Sequence, residues 1–199
     1  MKNWKKEITT IPNLLSIFRL LLIPVYTVLF LKADSPSDYW LAGIILAVSC
    51  LTDLVDGKIA RKYNMITRLG IALDPFADKM TQLALLICLA IRNHLLWIVF
   101  GLFFIKESFM LIMGIITYRK GRMLDGALMT GKVSTAVLFT SMILMVLIPD
   151  MSDRWVRLLV GLCFGVLLVA FIDYIRVYFV HDSRVRSLDE DLNTPKKEQ

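Results

Sequence analysis

Between Asp53 and Asp78 the chain reads D-L-V-D-G-K-I-A-R-K-Y-N-M-I-T-R-L-G-I-A-L-D-P-F-A-D, which sets four carboxylates inside a polypeptide otherwise built for lipid. A charged group at bilayer depth is costly and persists only against a partner or in a wet cavity, so it marks a functional site by default. The fold must account for these acids before anything else.

Read as helix, Asp53, Asp56, Gly57 and Ala60 fall at i, i+3, i+4 and i+7 and share one face. Asp74 and Asp78 stand one turn apart on the next helix and also share a face. The polar and basic link from Lys58 to Arg68 returns the chain and lets the two acidic faces meet. Four converging carboxylates without matching lysines repel one another unless cations hold them together. Hard oxygen ligands suit Mg²⁺ or Mn²⁺, and a cluster of this size can share two ions. Gly57 and Ala60 leave room for close approach beside the acids, Gly70 loosens the start of the next helix, and Arg61 offers a planar fork for phosphate oxygens. Metals, space and an arginine together describe a pyrophosphate site. Solvated loop acids, or the ion path of a small cation transporter, are the competing readings. A bare ion path needs neither the Gly, Ala and Arg residues nor their spacing.

With 199 residues, 57% of them hydrophobic, the chain is too apolar for a water-soluble domain and too short for many domains. Cys50, Cys88 and Cys163 lie within apolar runs and show no paired metal-ligand spacing, so they read as small buried hydrophobes. The net charge of +6 is split into short patches beside apolar segments. That distribution fits membrane topology and anionic headgroups, and argues against nucleic acid as a partner.

The expected architecture is an all-α membrane protein with six transmembrane helices and an N-terminal interfacial helix. Residues 1–10, basic and carrying Trp4, form the interfacial helix. No small-x-small cleavage site follows them, so the first apolar segment reads as a span and not as a signal peptide. The spans are placed at about 11–31, 40–60, 71–91, 95–118, 133–148 and 155–180, which makes 1–181 one membrane domain and 182–199 a charged tail expected to be disordered. Near the start of the first span, Asn13, Ser16 and Arg19 recur as a polar stripe of the kind that usually snorkels to the interface. Lys106 and Glu107 are adjacent in the fourth span and do not face each other on a helix, so each is expected to need a partner elsewhere in the bundle or a water-filled cavity. Lys2, Lys5, Lys6, Lys58, Arg61, Lys62, Arg68, Arg119, Lys120, Arg122, Arg184 and Arg186 fall on one side of this arrangement. The positive-inside rule then puts both termini and the acidic site on the cytoplasmic side of the cell membrane.

The spacing Asp53-x-x-Asp56-Gly57-x-x-Ala60-Arg61, followed by Gly70-x-x-x-Asp74-x-x-x-Asp78, resembles the signature of the CDP-alcohol phosphotransferase family of integral membrane enzymes, without gap or substitution. The resemblance implies that Asp53, Asp56, Asp74 and Asp78 share two Mg²⁺ or Mn²⁺ ions and that Asp78 also serves as the base. It implies Gly57, Arg61 and Thr67 as contacts to the CDP group of CDP-diacylglycerol, and a homodimer. The opening T-x-P-N-x-L-S-x-x-R is similar to that of phosphatidylglycerophosphate synthases, where this region helps bind the CDP-lipid, which points to Pro12 and Asn13. Such enzymes pass the phosphatidyl group to sn-glycerol 3-phosphate. The available cations for its phosphate are Lys132, Arg176, Arg68 and Lys106, whereas Arg119 and Arg122 are better read as headgroup contacts. Two features depart from that subfamily. Lys106-Glu107 stands where Arg-Glu is typical, and an apolar stretch with Gly114 stands where a further Arg is typical. The segments K-E-S-F-M-L-I-M and D-Y-I-R look more like cardiolipin synthases of the same superfamily, whose acceptor is phosphatidylglycerol.

Overall fold

A computed structural model describes residues 10–62, 68–119, 122–124, 128–179 and 185–187. The described residues form helices α1 (Ile11–Leu31), α2 (Pro36–Lys62), α3 (Arg68–Arg92), α4 (Leu96–Arg119), α5 (Met129–Leu147) and α6 (Asp153–Phe179). A short strand β1 (Arg122–Leu124) follows α4, and β2 (Val185–Ser187) follows α6. Helices satisfy every interior backbone group locally, which lipid demands because it supplies no water to do so. Four of them, residues 13–31 of α1 together with α4, α5 and α6, are long and apolar enough to cross a membrane. The other two, α2 and α3, have comparable lengths of 27 and 25 residues, but the acidic stretch interrupts their apolar character. Of the interfacial helix expected over residues 1–10, all but Thr10 lies outside the described residues.

The helix α1 is built inside out. Leu14, Phe18, Leu21, Val25 and Val28 recur at helical spacing and are exposed, while Asn13, Ser16 and Arg19 are buried beside the core residues Tyr26 and Phe30. A water-soluble helix would bury the first set and expose the second. Here the apolar face is turned outward, as suits a helix long and apolar enough to cross a membrane, and the polar stripe points inward. The snorkelling expectation is thereby corrected: the spacing identified the face, but the acids on α3 determine where that face turns.

The chain divides into two compact units, Met1–His94 with Met142–Ser152, and Leu95–Ser141 with Asp153–Gln199. In the first, α1 packs against both α2 and α3. Lipid tails are as apolar as leucine, so association inside a bilayer rests on close packing and polar contacts. Small residues permit that approach: Ala42 on α2 and Ala77 and Ala90 on α3 are fully buried. The start of α2 is fixed by Ser35, whose backbone N–H donates to Asp38 Oδ2 at 3.0 Å while Pro36 occupies the first helical position. This cap starts the helix four residues before Trp40, where the apolar pattern alone would begin it. At the far end of α3, Arg92 lies 4.2 Å above the Tyr39 ring and donates to the Pro149 carbonyl at 3.3 Å.

In the second unit α4 packs against α6. Phe109 meets Phe171 and Tyr178 edge-on, with ring centroids 5.4 and 6.0 Å apart. The strands pair antiparallel, Arg122 with Ser187, Met123 with Arg186 and Leu124 with Val185. This ribbon departs from a purely helical reading and places β2 within the segment expected to be a disordered tail. Three-residue strands carry too little periodicity to be read from sequence.

Candidate functional site

The second acidic pair lies on α3, with Asp74 and Asp78 one turn apart and both half-buried. Each is engaged from α1: Ser16 Oγ donates to Asp74 Oδ1, and Arg19 Nη1 donates to Asp78 Oδ1 and forms an ion pair with it. The order of partners is the same along both helices, so α1 and α3 run in one direction here, with α2 as the returning segment. Three residues on one helix span nearly the same rise as four on the other, and a short hydroxyl is followed by a long guanidinium that makes up the difference.

Burial is graded across the ion pair. The Arg19 side chain is 2% exposed and that of Asp78 is 46% exposed. A guanidinium buried that deeply requires a hydrogen-bonded counter-charge, and Asp78 provides one. The carboxylate meanwhile stays open to a solute approaching from outside the bundle. Asn13, 1% exposed, continues the same polar stripe toward the start of α1.

The first acidic pair lies on the helical backbone of α2, so the i, i+3, i+4, i+7 spacing of Asp53, Asp56, Gly57 and Ala60 is realised as one helix face, with Arg61 following. The side chains of these residues lie outside the described set, as do those of Pro12 at the start of α1 and Arg68 at the start of α3. Thr67 lies outside the described residues altogether. Among the described residues no group of three or more His, Cys, Asp or Glu side chains is gathered. Asp74 and Asp78 do supply the chemistry a hard divalent ion takes: oxygen donors only, on one face, each carboxylate held by a hydrogen bond from a neighbouring helix. The described part of the acidic cluster therefore fits such an ion.

In the second unit, Lys106 is buried and its Nζ lies 2.8 Å from Glu107 Oε1 and 5.9 Å from the Tyr174 ring centroid. The expectation that these neighbours could not face each other is corrected. A four-carbon stem is long enough to curl across the 100° offset between adjacent helical residues. Lys132 and Arg176 are both exposed. Near them Thr130 Oγ1 donates to Asp173 Oδ2 at 2.6 Å, and a Cβ on Gly131 would run into Tyr174, with ring atoms Cε2 and Cζ at 2.9 and 3.0 Å. The G-K-V-S-T segment thus brings the start of α5 against the end of α6.

Sequence reasoning did not assign Ser16 and Arg19 to the site. Their spacing was visible, and the rule that intramembrane acids need partners, applied to Asp74 and Asp78, points to them.

A CMP-forming cardiolipin synthase from Streptomyces coelicolor is 40% identical over 119 residues, covering 58% of this chain and 54% of that protein. A CDP-diacylglycerol–glycerol-3-phosphate 3-phosphatidyltransferase from Haemophilus influenzae is 38% identical over 88 residues, covering 44% of this chain and 47% of that protein. Its Escherichia coli K12 counterpart is 36% identical over 88 residues, covering 44% of this chain and 48% of that protein. The matched stretches thus span about half the length of each of these relatives. The family described as CDP-alcohol phosphatidyltransferase matches residues 9–172, which takes in α1, both acidic pairs and most of α6, and the chain belongs to that family.

Proposed function

We propose that the protein is a phospholipid-synthesising transferase that moves the phosphatidyl group of CDP-diacylglycerol to sn-glycerol 3-phosphate, giving phosphatidylglycerophosphate and CMP. The observation that carries this reading is the pair Asp74 and Asp78, presented on one face of α3, inside the family segment, with the Asp78 side chain half-exposed.

In this reading Asp53, Asp56, Asp74 and Asp78 hold two divalent ions, Mg²⁺ or Mn²⁺. Such ions, when bound, neutralise the charge that builds on the pyrophosphate as CMP departs. The alcohol oxygen attacks the lipid-proximal phosphorus, the phosphorus–oxygen bond to CMP breaks, and Asp78 takes the alcohol proton. A carboxylate has two oxygens and about four lone-pair sites, so an arginine contact at Oδ1 is compatible with that role. Arg61 holds pyrophosphate oxygens through its fork, Gly57 admits the nucleotide close to the helix backbone, and Thr67, Pro12 and Asn13 complete the CDP-lipid contacts. Lys132, Arg176, Arg68 and Lys106 are the cations assigned to the acceptor phosphate; the exposure of Lys132 and Arg176 supports them. The bundle spans the cell membrane six times as a homodimer, with the termini and site on the cytoplasmic face, an orientation supported by the loop charges.

A second reading, cardiolipin synthesis with phosphatidylglycerol as acceptor, is favoured by the Streptomyces coelicolor relative, whose match covers more of this chain than the other two, and by the Lys106-Glu107 pair. Purified protein is given CDP-diacylglycerol, Mg²⁺ or Mn²⁺, and in turn glycerol 3-phosphate, phosphatidylglycerol, serine or inositol phosphate. The lipid product should be phosphatidylglycerophosphate, from glycerol 3-phosphate alone. Cardiolipin as the product selects the second reading. Metal flux in liposomes with no CMP from any acceptor would instead support a cation transporter.

A further inference from the structure

We infer that Ser16 and Arg19 of α1 are positioning residues for the metal-binding carboxylates of α3, so that the opening helix sets the metal affinity of the site. The inference rests on the proposed metal role of Asp74 and Asp78 and adds a function for the buried α1 stripe.

Ser16 and Arg19 are 0% and 2% exposed, so neither is a surface polar group. Each places a donor on Oδ1 of a different α3 carboxylate, Ser16 on Asp74 and Arg19 on Asp78. An aspartate has one rotatable bond before its carboxylate plane and one that turns that plane, and a hydrogen bond at one oxygen restricts both. Two such bonds, one turn apart, fix the relative orientation of the two carboxylates. A metal ion then binds a preset pair instead of ordering it, and the entropy of ordering does not count against binding. Partners of this kind behind metal ligands typically change metal affinity by about 10- to 100-fold when removed.

Charge must be separated from orientation in the test. Removing Arg19 outright deletes a cation near the site, which favours a divalent ion electrostatically while loosening Asp78, and the two effects oppose each other. Ser16→Ala removes a donor without changing charge, and Arg19→Lys keeps the charge while losing the rigid fork. The control is Thr27→Ala: Thr27 lies two turns beyond Arg19 on α1, bonds its own helix at the Ile23 carbonyl, 2.9 Å away, and meets α3 at Cys88, well past the two acids.

The experiment measures Mn²⁺ binding to the detergent-purified full chain by electron paramagnetic resonance, with the thermal midpoint of each variant taken in the presence of chelator. Ser16→Ala and Arg19→Lys should each weaken Mn²⁺ binding by about 10-fold or more, and Thr27→Ala should match wild type. The chelator-treated thermal midpoints should stay close to that of wild type, since a purely structural role would move them instead. Wild-type Mn²⁺ affinity in both Ser16→Ala and Arg19→Lys overturns the inference while leaving the proposed function standing. If the wild type itself binds no Mn²⁺, the metal reading of the site fails first.

Discussion

Lys106 Nζ sits 2.8 Å from Glu107 Oε1, a salt bridge between sequence neighbours within a membrane-crossing helix. The lysine is 2% exposed and the glutamate 21%, so both charges are largely removed from water. Removing one member of a buried pair takes from the other its adjacent counter-charge, at a cost of about 3 kcal/mol. Lys106→Met and Glu107→Gln should each lower the thermal midpoint of the detergent-purified protein, and the double variant should recover most of the loss. A double variant that melts as the sum of the two singles would show that the charges are stabilised by other partners.

Gly131 should not tolerate a methyl group. Its Cβ would meet the buried Tyr174 side chain, with ring carbons at 2.9 and 3.0 Å and the hydroxyl nearer still. An aromatic ring packed between helices cannot swing away as a long aliphatic tip can, so Gly131→Ala should destabilise the protein by about 1–3 kcal/mol. Tyr174→Phe removes the nearest atom and should restore part of that loss. Equal melting of wild type and Gly131→Ala would show that α5 and α6 can move apart there at no cost.

The cap of α2 carries a pH signature. Hydrogen bonds from the Ser35 hydroxyl at 2.8 Å, the Ser35 N–H at 3.0 Å and the Asp34 N–H at 3.2 Å hold the Asp38 carboxyl below the ordinary aspartate range, the Ser35 hydroxyl having the largest effect. A carboxyl whose folded value is depressed contributes stability that is present in full above the unfolded value and is lost as pH falls through the folded one. Acidification below the ordinary carboxylate range should therefore lower the thermal midpoint of the wild type more than that of Asp38→Asn. An identical acid response in the two proteins would remove Asp38 from the account of how α2 begins.

The helical frame of the candidate site was legible because carboxylates in a chain this apolar leave few options. Asp74 and Asp78 had to share a face, and they do; the helix under Asp53 and Asp56 is continuous, as their spacing requires. What the sequence left open was orientation. Asn13, Ser16 and Arg19 form a stripe by spacing alone, but spacing does not say whether the stripe faces headgroups or acids, and only the packing of α1 against α3 decides it. Lys106 and Glu107 do meet, because the neighbour rule describes Cβ directions and two long side chains reach around it, while Lys106 also lies over the Tyr174 ring of α6. The β1–β2 ribbon joins segments far apart in sequence through backbone hydrogen bonds, which leave no trace in residue type. Helix boundaries shifted where polar caps, as at Ser35, extend a helix beyond its apolar core.

The most direct test of the central claim is CMP release from CDP-diacylglycerol by Asp78→Asn. The substitution keeps the shape of the side chain and its oxygen toward Arg19, but takes away the charge that a metal ion and an alcohol proton both require. With glycerol 3-phosphate and Mg²⁺ present, turnover should fall by about 100-fold or more while the protein remains folded and monodisperse. Turnover at the wild-type rate in that variant would contradict the assignment of Asp78, and with it the chemistry proposed for the cluster.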